Sequence, residues 1–364
     1  MPGPTGPSPR SEGEPVVIAF DALGAEGGPE VVVEGIGRAI ADGEDLRVRA
    51  FGRAADLGAL TALEGVEVVE APGLIANDEE PVAAVRSREN ASIVRAAADV
   101  AEGRSHALAS PGSTGATMTA ALFALKRLRS VQRPALAVQL PAPGLDRPVL
   151  LLDAGANSDA RASHLVQFAY LGSAFAQAAL EVESPRVALL SVGAESKKGS
   201  ALTVAAHEAL AAGEGIEFTG NIEGRELLSG GADVVVTDGF TGNVTLKTIE
   251  GTAGAVGGAV RAAARSGPRA LLGGALLRPA LGALRSSLDP DQTGGAILLG
   301  LRGVAVVGHG SAGPEGVANQ IRLAARAVRQ ETVERTRTLL ERSGVGRAAA
   351  RERARTSGDA EAPA

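Results

Sequence analysis

Gly220-Asn221-Ile222-Glu223-Gly224-Arg225 and, further on, Ala232-Asp233-Val234-Val235-Val236-Thr237-Asp238-Gly239-Phe240-Thr241-Gly242-Asn243-Val244-Thr245-Leu246-Lys247 form the stretch whose reading decides the fold. The apolar run reads as a buried strand. It breaks into a glycine loop carrying Asp, Thr and Asn, and the chain continues as a helix with Lys247 in its first turns. The first N–H groups of a helix have no partner within it and sit at the positive end of its dipole, which suits an anion. The stretch is thus both a fold signal and a candidate ligand site.

The same plan of apolar strand, small-residue loop and helix recurs on either side. Residues 16–20 end in Asp21 and pass through Gly24, Gly27, Gly28 and Pro29 into a helical segment over 30–41. Strands are expected over 46–52 and 66–70 with a helical 54–63 between them, a βαβ rhythm that predicts a mainly parallel sheet. A long helical region is expected from Asp78 to Glu102. The run 106–110 turns through Pro111-Gly112-Ser113-Thr114-Gly115 into a helix over 116–128. Residues 148–152 lead into Asp153-Ala154-Gly155-Ala156-Asn157-Ser158-Asp159 and a helix over 163–180, and 187–192 lead into Gly193 to Ser200 and a helix through His207. Residues 304–307 give the last copy, with Gly308-His309-Gly310-Ser311-Ala312-Gly313, before a helix from Gly316 to about Arg342. In a parallel sheet, ligands bind beyond the carboxyl ends of the strands. The repeated loops are therefore expected to converge on one sheet edge.

Composition bounds what such a protein can do. The 364 residues suffice for one large α/β domain, expected over 16–342, between a Pro/Gly/Ser-rich leader at 1–15 and an Ala/Arg/Glu tail at 343–364, both read as disordered. Aromatic residues make up 2%, so the core rests on Ala, Val and Leu. The chain contains no Cys, which excludes disulfides and a cysteinyl acyl intermediate. A net charge of −6 without a basic, aromatic-interleaved stripe argues against nucleic acid as a partner. The leader has no apolar core of the signal-peptide kind, and the most apolar run, 296–307, is broken by Arg302. A cytoplasmic protein is expected. The acid-free segment 251–288 carries Arg261, Arg265, Arg269, Arg278 and Arg285 with leucines at helical spacing, and reads as a helical pair about Ser266-Gly267-Pro268. It suits a dimer contact, an anionic membrane surface, or both.

Several chemistries fail on spacing. Gly308-His309-Gly310-Ser311-Ala312-Gly313 has the letters of a dinucleotide fingerprint, but the position about 20 residues on, where an acidic strand end should hold the ribose, falls in a helix. Ser113 and Ser311 lack the Gly-x-Ser-x-Gly elbow of a serine hydrolase. The four His are dispersed, so no metal site is expected. What remains is a set of strand-end polar groups. Asp153, Asn157, Asp238 and Asn243 lie in these loops, and His309 in its glycine loop can serve as acid, base or anion partner.

Taken in order, these blocks resemble the bacterial phosphate acyltransferases of phospholipid synthesis. The resemblance rests on Asp21-Ala22-Leu23-Gly24, Ser110 to Ala116, Leu152 to Asn157, His164 to Phe168, Val192-Gly193 through Lys198-Gly199, Gly220 to Arg225, Asp238 through Lys247, Gly294-Gly295 and Gly308 to Ser311. It implies a three-layer α/β/α fold like that of the isocitrate and isopropylmalate dehydrogenases and the phosphotransacetylases, with a protruding helical pair. It further implies a homodimer, without cofactor, that makes acyl phosphate from acyl-acyl carrier protein and inorganic phosphate. Peripheral contact with anionic membrane, and with a downstream membrane acyltransferase, follows from the same resemblance. By position it assigns Lys198, Asn243 and His309 to catalysis. It assigns Asp21, Gly112, Thr114, Gly115, Asp153, Asn157, Asn221, Asp238, Gly239, Gly242 and Ser311 to phosphate or thioester binding. The chain departs from the family in its first loop, where Ala25-Glu26-Gly27-Gly28-Pro29 stands in place of a Gly-Gly-Asp-His-Ala-Pro pattern, and at Ser113 and Ala194. Transfer from coenzyme A thioesters, or a catalytically weakened scaffold, are the alternative readings.

Overall fold

The computed structural model describes residues 13–41, 45–142, 144–287 and 290–345. Most of the expected leader and tail, 1–12 and 346–364, lie outside these. One sheet of eleven strands runs through the molecule in the order β3-β2-β1-β4-β11-β10-β5-β6-β9-β7-β8. Its members are β1 (Val16–Asp21), β2 (Leu46–Gly52), β3 (Val66–Glu70), β4 (Ala107–Ser110), β5 (Ala135–Leu140), β6 (Val149–Leu152), β7 (Arg186–Ser191), β8 (Glu217–Glu223), β9 (Val234–Val236), β10 (Ala296–Leu299) and β11 (Val304–Val307).

Seven of the ten pairings are parallel, but the three antiparallel ones decide where the loops go. The strand β10 runs against both β11 and β5, and β5 runs against β6. Consequently β3, β2, β1, β4, β11 and β5 point one way, and β10, β6, β9, β7 and β8 the other. The cause is local. A parallel partner needs a crossover of about a dozen residues or more, whereas β5 and β6 are separated by 141–148 and β10 and β11 by 300–303. The two hairpins reverse the polarity of half the sheet, so the expectation that all the loops meet at one edge is corrected.

Helices cover both faces. On one, α1 (Pro29–Ala41), α5 (Ala162–Ala179), α6 (Ala201–Ala211), α9 (Pro314–Arg329) and α10 (Thr332–Ser343) bury Val32, Ile36, Phe168, Phe175, Leu210, Ile321 and Leu340 against Ile18, Phe20, Leu150 and Val234. On the other, α3 (Ser92–Ala101) and α4 (Thr114–Leu125) pack Ile93, Ala96, Ala120 and Ala121 on Ala19, Leu108 and Leu298. A third cluster beneath Leu246 and Ile249 of α7 (Gly239–Ala264) holds Leu151, Ala188 and Val235.

Two expected helices are each divided. The region 78–102 contains α2 (Pro81–Ser87) and α3, parted where Gly73 bridges to Ala91. The C-terminal helix breaks at Glu331, which adopts a left-handed conformation (φ 52°). The expected helix over 54–63 is only a 3₁₀ turn, Gly58–Ala62.

The helical pair is formed by α7 and α8 (Pro268–Ser287), and it starts at Gly239, earlier than the expected 251. None of residues 251–282 is buried. Leu271, Leu272, Leu276 and Leu277 are all more than half exposed, so the pair projects with its leucines uncovered. Among the described residues no helix is long and apolar enough to cross a membrane. The apolar run 296–307 is instead the β10–β11 hairpin.

Candidate functional site

The edge at which β6, β9, β7 and β8 end carries the opening stretch of the sequence. Asp153, fully buried just past β6, is its anchor. Its Oδ1 accepts from the backbone N–H groups of Leu136 (3.0 Å), Gly155 (3.2 Å) and Ala156 (2.9 Å), and its Oδ2 from the backbone and side-chain amides of Asn157, both at 2.7 Å. Burial pushes this carboxyl above the usual carboxylate range, while the donors from Ala156, Asn157, Leu136 and Gly155 pull it back. Asn157 also donates to the Pro134 carbonyl at 2.8 Å. Its role here is to close the turn.

The helix α7 lands directly on that turn. A Cβ on Gly242 would stand 1.9 Å from the Asp153 carbonyl oxygen, so only glycine permits the approach. Asp238 caps α7, accepting from the Thr241 backbone N–H at 2.9 Å and from its hydroxyl at 2.7 Å. Asn243, one turn into α7, lies over Gly155 and is exposed. Lys247, a turn further on, is paired with Glu250 at 2.8 Å.

Lys198 reaches the same edge from the neighbouring strand, because β7 pairs directly with β9. Its loop is tied down through the backbone. The Lys198 N–H donates to the Glu195 carbonyl at 3.0 Å, and its carbonyl accepts from the Ser191 hydroxyl at 3.0 Å, leaving the ammonium exposed. Asn221, buried on β8, donates to the same Glu195 carbonyl at 2.9 Å, and its oxygen lies 3.0 Å from His207 Nδ1. With the Asn221 amide nitrogen donating, its oxygen must accept, so His207 carries its proton on Nδ1. The structure makes His207 the backing of the loop that presents Lys198, a contact across 14 residues that no local pattern announces.

The opposite edge gathers the other candidates. Asp21, at the end of β1, accepts from Ser92 Oγ at 2.5 Å and Ser110 Oγ at 2.8 Å, and Thr117 donates to Ser110 Oγ at 3.1 Å. Burial raises the Asp21 carboxyl, against the pull of these hydroxyls. Gly24 and Gly112 touch backbone to backbone, with a Cβ on Gly24 falling 2.4 Å from Gly112 Cα. Thr114 and Gly115 open α4 behind the Ser113 cap. His309 is exposed, its Nδ1 2.8 Å from the Ser311 hydroxyl, and Gly310 accepts from the Glu26 N–H at 2.8 Å.

Of the sequence-derived residues, one chain therefore groups Asp153, Asn157, Lys198, Asn221, Asp238, Gly239, Gly242 and Asn243 on one edge. Asp21, Gly112, Thr114, Gly115, His309 and Ser311 lie on the other. Through the strand registers Asp153 is level with Ala19, two residues short of Asp21, so the two sets are parted mainly across the sheet, by the strands between β4 and β6, and their loops leave it in opposite directions. Val192, Phe240 and Val244 flank Lys198 and Asn243 and are 80%, 67% and 51% exposed, an apolar rim that the glycine motifs did not reveal.

Comparison with known proteins fits this architecture. The family model described as "Fatty acid synthesis protein" matches residues 16–335. A phosphate acyltransferase of Enterococcus faecalis is 43% identical over 308 residues, covering 84% of this chain and 92% of that one. Among solved structures, the EutD phosphotransacetylase from Staphylococcus aureus aligns with a TM-score of 0.55 at 19% identity over 86% of this chain and 94% of its own. A 4-hydroxythreonine-4-phosphate dehydrogenase from Klebsiella pneumoniae aligns with a TM-score of 0.51 at 16% identity over 86% and 100%. At those identities the last two share the fold.

Proposed function

The chain belongs to the phosphate acyltransferase family and is an acyltransferase; on that premise we propose that it moves an acyl group from acyl carrier protein to inorganic phosphate, for phospholipid synthesis. The observation that carries this reading is the exposed Lys198 ammonium and Asn243 carboxamide presented from adjacent strand ends, beside an uncovered apolar rim. A phosphate oxygen bonds to the thioester carbonyl carbon, the carbonyl π pair moves to oxygen, and collapse of the adduct breaks the C–S bond. The proton of hydrogen phosphate ends on the carrier sulfur, leaving acyl phosphate and free thiol. Lys198 holds the phosphate and offsets the charge of two anionic groups; Asn243 donates to the carbonyl oxygen as it becomes an oxyanion. The chain has no Cys, and with phosphate as the nucleophile none is needed.

Purified protein given phosphate and long-chain acyl carrier protein is expected to accumulate acyl phosphate. Faster turnover with acyl-coenzyme A would reassign the donor, and no product from either would leave a scaffold.

A homodimer belongs to the same reading. Within one chain the loops that carry Lys198 and His309 leave the sheet in opposite directions, whereas a second copy can bring one set to the other and cover Val192, Phe240 and Val244. Membrane contact falls to the projecting helical pair, whose arginines and exposed leucines suit anionic headgroups. The protein is expected to co-sediment with anionic vesicles and to be released by salt as screening shortens the reach of its charges. Equal sedimentation with and without vesicles would remove this element of the reading.

A further inference from the structure

A cavity of about 430 Å³ opens at the far end of β6 from Asp153, between the β5–β6 turn and α9. That is within the range of small-ligand pockets. None of the residues assigned above to catalysis or phosphate binding lines it. The six residues from Arg147 to Asp153 span roughly 20 Å of extended chain, so a ligand held at Lys198 does not reach it.

Its lining is built for an anion. Arg322 and Arg326 stand one turn apart on α9 and face Arg147 across the opening. Arg322 is held in place by Glu315 at 2.9 Å and by Asn319 at 2.6 Å. Among the described residues neither Arg147 nor Arg326 forms an ion pair or a side-chain hydrogen bond. Asp146 is the one acidic residue of the lining, so the wall carries an excess of positive charge. Gln139 on β5 also lines the cavity. Its side chain is only 7% exposed and has no hydrogen-bond partner among the described residues. Its polar atoms are not sealed from solvent, so they are open to a ligand that enters the cavity. Pro141, Leu145 and Leu323 supply an apolar wall beside these groups.

We propose that this cavity is a second binding site, for a soluble phosphomonoester of roughly nucleotide size. The guanidinium groups of Arg147 and Arg326 grip the phosphate in their planar fork geometry. Gln139 hydrogen-bonds a polar edge of the ligand body, and the apolar wall packs on the rest.

The probes are adenosine monophosphate, glycerol 3-phosphate and inorganic pyrophosphate, titrated by calorimetry into the full-length Lys198→Ala/Asn243→Ala protein, whose candidate phosphate groups at the other edge have been removed. Saturable binding of adenosine monophosphate is expected, tighter than that of the two smaller probes and weakened by salt. Arg147→Ala and Arg326→Ala, both at exposed positions, should each loosen it about tenfold or more. Gln139→Leu should narrow the preference for adenosine monophosphate over pyrophosphate. If glycerol 3-phosphate binds tightest, a lipid headgroup is the source and the nucleotide-sized ligand is overturned. Absence of saturable binding by any probe, or binding untouched by the two arginine substitutions, overturns the site.

Discussion

Lys198→Ala is expected to lower acyl-phosphate formation by about 10²–10³-fold, the range found when one preorganised electrostatic donor is removed from an anionic transition state. The loss should appear with a higher KM for phosphate, because the ammonium holds the nucleophile as well as the developing charge. The geometry makes this a clean substitution. The loop is fixed by the Lys198 backbone N–H and carbonyl and by Asn221 on Glu195, none of which the change touches. Thermal stability should accordingly stay within about 0.5 kcal/mol of the parent, as for other exposed side chains. Lys198→Arg is expected to keep phosphate binding but to restore only part of the rate, since the larger, planar guanidinium places its charge and donors differently from a compact ammonium. Asn243→Ala should cost a comparable factor in kcat through the lost carbonyl donor. Retention of more than a third of the parent rate by Lys198→Ala would remove the residue from catalysis.

The homodimer reading adds a second outcome to the same experiment. Should the His309 edge of one copy act with the Lys198 edge of the other, mixing inactive Lys198→Ala and His309→Ala chains must regenerate part of the activity. Each mixed dimer would then hold one intact pair of edges. Mixed chains that exchange subunits yet stay inactive would confine the reaction to the Lys198 edge.

The contrast between the two edges shows what sequence reasoning could reach. Strands such as 46–52, 66–70 and 304–307 were legible to the residue because each sets apolar, mostly β-branched residues, in the first two interleaved with charged ones, between turn formers. The polar residues worth inspecting were legible too, since Asp, Asn and Lys cluster where those runs end. What was missed is strand direction. Residues 135–140 and 296–299 were never assigned as strands, and they reverse the sheet. The signal was present in the short links 141–148 and 300–303, which are too brief for a parallel crossover. Relations such as His207 to Asn221, or Gly242 to the Asp153 carbonyl, come from close approach between separate elements, and no spacing rule encodes them.

Asp153→Ala is expected to destabilise the protein by about 4 kcal/mol, with Tm falling by roughly 10 °C in a domain of this size. Four backbone N–H groups and the Asn157 carboxamide all point at this one carboxylate, from a turn and from β5. Alanine leaves them without an acceptor, and at least the Leu136 and Asn157 groups are too deep to turn to water. Asp153→Asn should recover only part of the loss, because its amide would set an N–H against the Asn157 donors where an ionised carboxylate only accepts. Gly242→Ala attacks the same seam from the other side: a Cβ 1.9 Å from the Asp153 carbonyl oxygen cannot be accommodated without lifting α7. It should therefore displace Asn243 and abolish activity. The two substitutions share one contact, so their effects on stability should add to less than their sum. Independent, fully additive losses would mean that α7 and the Asp153 turn are not held by this seam. In that case Asn243 would owe its position to some other support.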